Sequence, residues 1–264
     1  MPTGSKTPAF CERKYQIRTD NISAGDSPAA GVNKLQGFHD LVVSWLGVGT
    51  QIDGFGHVGI DGKRYNNMPT VEVIRPNCAI KYGIHTLPPI VGRGVLRDMA
   101  AAAMSRLSEC AIFESTELRA AAKRQGTEIR KSDVVLLHTG WLSVTDKNGE
   151  RFLSKTPGVG VDGATWHADQ RVIAVGADTW AIEGWPTNDK PPDHFIPFHE
   201  LLVVKPGTHI LENIKPDELA TDKVYEFFFL LAAPRLVGML QALFIRLQCD
   251  DEWNLTILLP YSKK

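Results

Sequence analysis

Five side chains in this sequence can hold a divalent cation or move a proton: Gln51, Asp53, His57, His199 and Glu212. Opening an unreactive carbonyl requires an activated water, a stabilised oxyanion and a proton shuttle. A divalent cation serves the first two needs, because it acidifies water and polarises the carbonyl. Gln51 and Asp53 are two residues apart, so on a strand both project from one face. His57 follows after Gly54 and Gly56, which let the backbone fold back over the same point. His199 and Glu212 are remote in sequence and must arrive through the fold. The QxDxxxH spacing alone is also compatible with surface or hydrogen-bonding groups, so the elements around these residues matter.

Those elements alternate. The apolar, β-branched segment Asp40 to Trp45 predicts a strand that runs into Gly47, Gly49 and Thr50. Thr70 to Ile80 is expected to be extended, with a turn at Pro76-Asn77, and Pro88-Pro89 excludes a helix there. Gly94 to Met99 predicts a buried strand. Ser115 reads as a helix N-cap and Gly126 as the C-terminal stop. Val134 to Leu137, Arg171 to Asp178, Val224 to Ala233 and Gln241 to Gln248 predict further strands, and His199 to Leu202 a helical turn. Asn188 to Pro197, with three prolines, predicts a loop. The sum is an α/β or α+β chain with a mixed sheet.

Several motifs match a known family in order along the chain. Gly49-Thr50-Gln51-Ile52-Asp53-Gly54-Phe55-Gly56-His57 resembles the GTHxDxPxH signature of cyclase-type metal-dependent hydrolases, closest to the branch that reads GTQWD. That family includes bacterial kynurenine formamidase, isatin hydrolase and a trans-dienelactone hydrolase. Pro88 to Leu96, Asp133 to Trp141, Gly176 to Trp180, the interval from His199 to Glu212-Asn213, and Val224 to Phe227 resemble its later blocks. The resemblance spans roughly Asp40 to Ile245.

This resemblance implies a single-domain α/β fold with a mixed central sheet, of the swivelling β/β/α kind, over residues 31–264; residues 1–30, rich in Ser, Thr, Pro, Gly and charge, read as a flexible arm. It implies that Gln51, Asp53, His199 and Glu212 bind metal and that His57 is the proton shuttle. One early family histidine falls on Gly47, which offers no side-chain ligand, so a second metal site built as in the formamidases is not expected. Oxygen-rich ligands move metal preference from Zn²⁺ towards Mn²⁺ or Mg²⁺; Mn²⁺ or Zn²⁺ is the expected cofactor. The expected reaction is hydrolysis of a small cyclic ester or amide, lactone, isatin-like or formamide-type. A non-catalytic small-molecule-binding relative and a metal-dependent cyclase or lyase are the alternatives. The resemblance also implies a homodimer or homotetramer.

For the pocket, Phe55, Asp178 and Trp180 are candidate substrate contacts. Core packing is the competing reading for Phe55 and Trp180, and strand capping for Asp178. His138 reads as a structural histidine.

Composition bounds the partners. The chain has 264 residues, 29 basic and 30 acidic side chains, and a formal net charge of −1. It lacks the strong positive field that nucleic acid or an anionic membrane surface attracts, so neither is expected as a partner. The four cysteines, Cys11, Cys78, Cys110 and Cys249, form no CxxC pair and read as free thiols in a reducing compartment. With no apolar leader and no run of about 18 apolar residues, a cytoplasmic location is expected.

Overall fold

Alternation of apolar residues along short β-branched runs builds the centre of the molecule. The computed structural model describes residues 13–21, 32–33, 37–102, 108–186, 196–249 and 255–258. Its strands are β1 (Tyr15–Asn21), β2 (Phe38–Ser44), β3 (Gln51–Asp53), β4 (Ile74–Arg75), β5 (Cys78–Ala79), β6 (Ile90–Asp98), β7 (Ile112–Phe113), β8 (Val134–His138), β9 (Gly158–Val159), β10 (Ala174–Ala177), β11 (His209–Glu212), β12 (Glu226–Ala232), β13 (Gln241–Leu243), β14 (Ile245–Cys249) and β15 (Leu255–Leu258). The α-helical segments are α1 (Thr70–Val73), α2 (Met99–Ala102), α3 (Ser115–Gln125), α4 (Gly149–Ser154), α5 (Val161–Asp169), α6 (Pro197–His199) and α7 (Asp217–Thr221).

Nine strands form one mixed sheet in the order β13-β3-β11-β10-β8-β6-β12-β14-β15. The four inner strands β11, β10, β8 and β6 are parallel, and the flanks are antiparallel. This is the α/β mixed-sheet architecture expected from the sequence. Period-two alternation divides its residues between two cores. Val135, Leu137, Val175, Ala177 and Ile210 face α3, α5 and the turn after α6, where Leu118, Ala121, Ala164, Leu202 and Val203 pack against them. Ile52, Val134, Leu136, Leu211, Phe229, Leu231 and Ala242 face the opposite core with Ile84, Ile214 and Leu219. On β12, Phe227, Phe229 and Leu231 are buried while Phe228 points to solvent.

Helix α3 ends as expected, with Gly126 in the left-handed region at φ 67°. Its start differs. Glu114 is the cap, in a reciprocal capping box with Glu117, and the Ser115 hydroxyl donates instead to Asp162. A carboxylate one residue earlier outcompetes the serine. The segment 70–80 is also only partly extended. Thr70–Val73 makes a helical turn, and the hairpin β4–β5 closes around Pro76-Asn77. The strand expected at 40–45 is β2, but it pairs with β1 in a separate ribbon rather than joining the main sheet. Leu41, Val42, Val43 and Trp45 there are exposed. Of the segment 1–30 read as an arm, residues 13–21 are described, and Tyr15–Asn21 is that ribbon's first strand.

Most of the proline-rich segment 188–197 lies outside the described residues, as does Cys11. Cys78 and Cys110 are free thiols. Among the described residues, no helix is long and apolar enough to cross a membrane.

His167 on α5 carries a stability prediction. It is fully buried, with Nδ1 bonded to the Gly163 carbonyl and Nε2 unpartnered. Burial pushes its pKa down from 6.5 to about 4. The unfolded chain therefore takes up a proton first, so His167 erodes stability as pH falls from about 6.5 towards 4. The erosion reaches roughly 3 kcal/mol at the acid end. Urea titrations across that range should show His167→Gln losing less stability with acid than the parent; parallel losses would exclude this role.

Candidate metal centre

The site is built on the register of three neighbouring strands. Gln51 on β3 stands opposite Glu212 on β11, and Asp53 stands opposite Gln241 on β13. Directly opposed residues share a face, so Gln51, Asp53, Glu212 and Gln241 project together while Ile52, Leu211 and Ala242 fill the core behind them. His199 reaches the same point from the end of α6, just before a π-helical turn at Glu200–Val204.

Asp53, His199 and Glu212 are all buried, and one ligand-capable atom from each lies within 4.8 Å of the others. His199 Nε2 is 3.4 Å from Glu212 Oε1 and 3.7 Å from Asp53 Oδ2. Gln51 Nε2 donates to Glu212 Oε2 at 2.6 Å, and Gln241 Nε2 to Asp53 Oδ1 at 2.8 Å. Two buried oxygens, Asp53 Oδ2 and Gln51 Oε1, have no hydrogen-bond partner. Unsatisfied buried acceptors are costly, and two beside converging carboxylates and an imidazole fit a divalent cation. A ligand role for Gln51 requires its amide to turn, so that Oε1 replaces Nε2 towards the carboxylates.

The electrostatics describe compressed negative charge. Burial and the Asp53 carboxylate push Glu212 up to about 7, against the opposing pull of His199. Burial disfavours a charged His199, but hydrogen bonds to Glu183 and Glu212 overcome it and raise its pKa to about 10. Without an ion, a proton on His199 balances the carboxylates. An ion must displace it, because a ligating imidazole is neutral.

Residues that the sequence did not single out hold this arrangement. Glu183 Oε1 lies 3.0 Å from His199 Nδ1, which fixes the ring and leaves Nε2 facing the carboxylates. His209 Nδ1 lies 2.8 Å from the Asp53 carbonyl oxygen. Asn213 clamps β3 to β11: its Nδ2 donates to the Gly49 carbonyl and its own carbonyl accepts from the Thr50 hydroxyl. Three non-glycine residues with positive φ border these groups: Ile182 before Glu183, Ile196 before α6, and Asn213 after Glu212. For a β-branched residue such as isoleucine this conformation costs about 1–3 kcal/mol. No local pattern announces Glu183 or Gln241; their roles emerge only from the tertiary register.

Replacing Glu183 with Gln should lower Mn²⁺ affinity roughly 10–100-fold by loosening His199, with little change in the fold. Calorimetric titration would check this, and unchanged affinity would remove Glu183 from the site.

His57 is half-buried beside the cluster. Burial lowers its pKa, the Asp53 charge opposes that, and His199, Arg13 and Arg64 add to it. A neutral imidazole at neutral pH is what a proton acceptor requires. The backbone turn from Gly54 to His57 and the Arg64 donation to the His57 carbonyl set its position.

The three candidate substrate contacts sit differently. Phe55 stacks on His209 at 4.1 Å and meets Tyr65 at 4.6 Å, next to the site. Asp178 is fully buried and accepts from both the backbone and hydroxyl of Thr139, tying β10 to the exit of β8. Trp180 packs in a buried cluster with Trp141 and Phe152. Thr139 accounts for one Asp178 oxygen; the other, Oδ2, is buried without a hydrogen-bond partner. His138 pairs with Asp98 at 2.9 Å as a structural histidine.

Fold and site together define an α/β chain whose central sheet presents a buried Asp-His-Glu centre suited to a divalent cation. The chain belongs to the cyclase family: the family model Cyclase, described as "Putative cyclase", matches residues 1–184. A crystal structure described as a novel cyclase is similar over 93% of this chain and 85% of its own, with TM-score 0.81 and 23% identity. Isatin hydrolase A from Ralstonia solanacearum is similar over 94% of this chain and 89% of its own, with TM-score 0.66 and 20% identity. A structure described as a potential metal-dependent hydrolase with cyclase activity covers 94% of both chains, with TM-score 0.58 and 17% identity. At these identities the likeness is one of fold. No curated protein matches.

Proposed function

We propose that the chain is a divalent-metal-dependent hydrolase that opens a small cyclic ester or cyclic amide. The observation that carries this reading is the convergence of Asp53, His199 and Glu212 at one buried point, with an unsatisfied Asp53 oxygen facing it. When bound there, a divalent cation, Mn²⁺ or Zn²⁺, supplies an acidic water and an electrophile for the oxyanion. Asp53, His199 and Glu212 hold it, with Gln51 as a further oxygen ligand once its amide turns. Glu183 keeps the His199 tautomer that presents Nε2. His57 accepts the proton of the attacking water on its imidazole and returns it to the leaving oxygen or nitrogen. The ring carbonyl becomes a carboxylate. Membership of the cyclase family and the isatin hydrolase name of one structural neighbour support this substrate class.

The test is a substrate panel of lactones, cyclic imides, isatin and N-formyl aromatic amines. Each is assayed with Mn²⁺, with Zn²⁺ and with chelator. Metal-dependent hydrolysis of at least one ring compound is the expected result. A protein that binds the ion and turns over nothing would instead be a non-catalytic relative.

A further inference from the structure

Arg13 lies outside every motif block, in the segment just before β1. Its Nη1 donates to the Gly47 carbonyl oxygen at 3.0 Å, the sole hydrogen bond of its side chain among the described residues. The guanidinium fills the space in which a side chain at position 47 would begin. A Cβ built on Gly47 would lie 2.0 Å from Arg13 Nη1 and 2.8 Å from Gln51 Oε1. A Cβ at position 47 would require the guanidinium to move, so glycine at 47 is what lets Arg13 sit there.

Position gives this contact a use: Arg13 is a cation on the Gln51 side of the centre, whereas the Glu183 carboxylate lies behind His199, on its Nδ1. A guanidinium carries five donors in a planar fork that matches a carboxylate, and the Gly47 carbonyl occupies only part of it. We propose that Arg13 is an anion-binding residue of this site, holding the carboxylate created by ring opening, and that Gly47 is glycine to admit its guanidinium. This rests on the hydrolase reading for the identity of the anion. The ribbon β1–β2 then has a role, because it anchors the segment that delivers Arg13.

Benzoate, titrated calorimetrically into Mn²⁺-loaded protein, probes the proposal without turnover. Arg13→Ala should weaken benzoate roughly ten-fold or more, the worth of a charge-assisted hydrogen bond, at unchanged Mn²⁺ stoichiometry. Arg13→Lys should fall between, since an ammonium lacks the fork. Gly47→Ala should displace the guanidinium and reproduce the loss. The double variant should then lose no more than Arg13→Ala alone. Equal benzoate affinity in the parent and both Arg13 variants, no benzoate binding by the parent, or additive losses in the double variant would overturn the proposal. Failure of the substrate panel with Arg13-dependent benzoate binding intact would count against the hydrolase reading instead.

Discussion

Asp53→Asn is expected to leave the protein folded, without a retained divalent ion, and slower by on the order of 10³-fold or more, the loss expected when several kcal/mol of Lewis-acid stabilisation vanish. The substitution keeps the side-chain volume, and an amide can still meet Gln241. It removes the Asp53 charge, which together with the larger effect of burial holds Glu212 at about 7. The metal-free variant should therefore melt no lower than the metal-free parent. The parent alone should gain stability from Mn²⁺, by about 2.7 kcal/mol at a hundred times the dissociation constant. Thermal melts with and without Mn²⁺, beside steady-state assays, separate the two effects. An Asp53→Asn protein that is stabilised by Mn²⁺ as strongly as the parent would move the ion elsewhere.

The second large effect belongs to His57. His57→Ala should lower kcat by about 10²–10⁴-fold, the usual contribution of a positioned acid–base group. Its metal content by mass spectrometry should match the parent's. Burial lowers the His57 pKa from 6.5, so its neutral, proton-accepting form persists into mild acid. The acid limb of the parent's kcat/KM profile should accordingly fall below pH 6.5 and be absent from the residual activity of the variant. Normal turnover by His57→Ala would assign the shuttle to another group.

What could be read in advance divides along physical lines. The strands β8, β10 and β12 were visible because their apolar runs are bounded by turn residues, and burial on one or both faces requires such runs. The pairing of Gln51 with Asp53 was visible because the strand period is two. Their meeting with His199 and Glu212 was implied by family resemblance rather than by periodicity. Its cause, the register of β3 between β11 and β13, is a long-range property. Glu183 and Gln241 escaped for the same reason: a carboxylate and an amide in irregular or edge segments have no local signature. The Ser115 cap failed because two adjacent residues could both cap, and Glu114 had the Glu117 partner that completes the box. At Asp178 a strand-end carboxylate fits both readings: Thr139 bonds one oxygen, while Oδ2 is buried without a hydrogen-bond partner.

The central claim is that one cation gathers Asp53, His199 and Glu212. Calorimetric titration of metal-free protein with Mn²⁺ tests it most directly. The account predicts saturable binding of a single ion per chain, accompanied by proton release as His199 gives up its proton, and the loss of that binding in Glu212→Gln. Binding that survives Glu212→Gln unchanged, or no saturable binding by the parent, would contradict it.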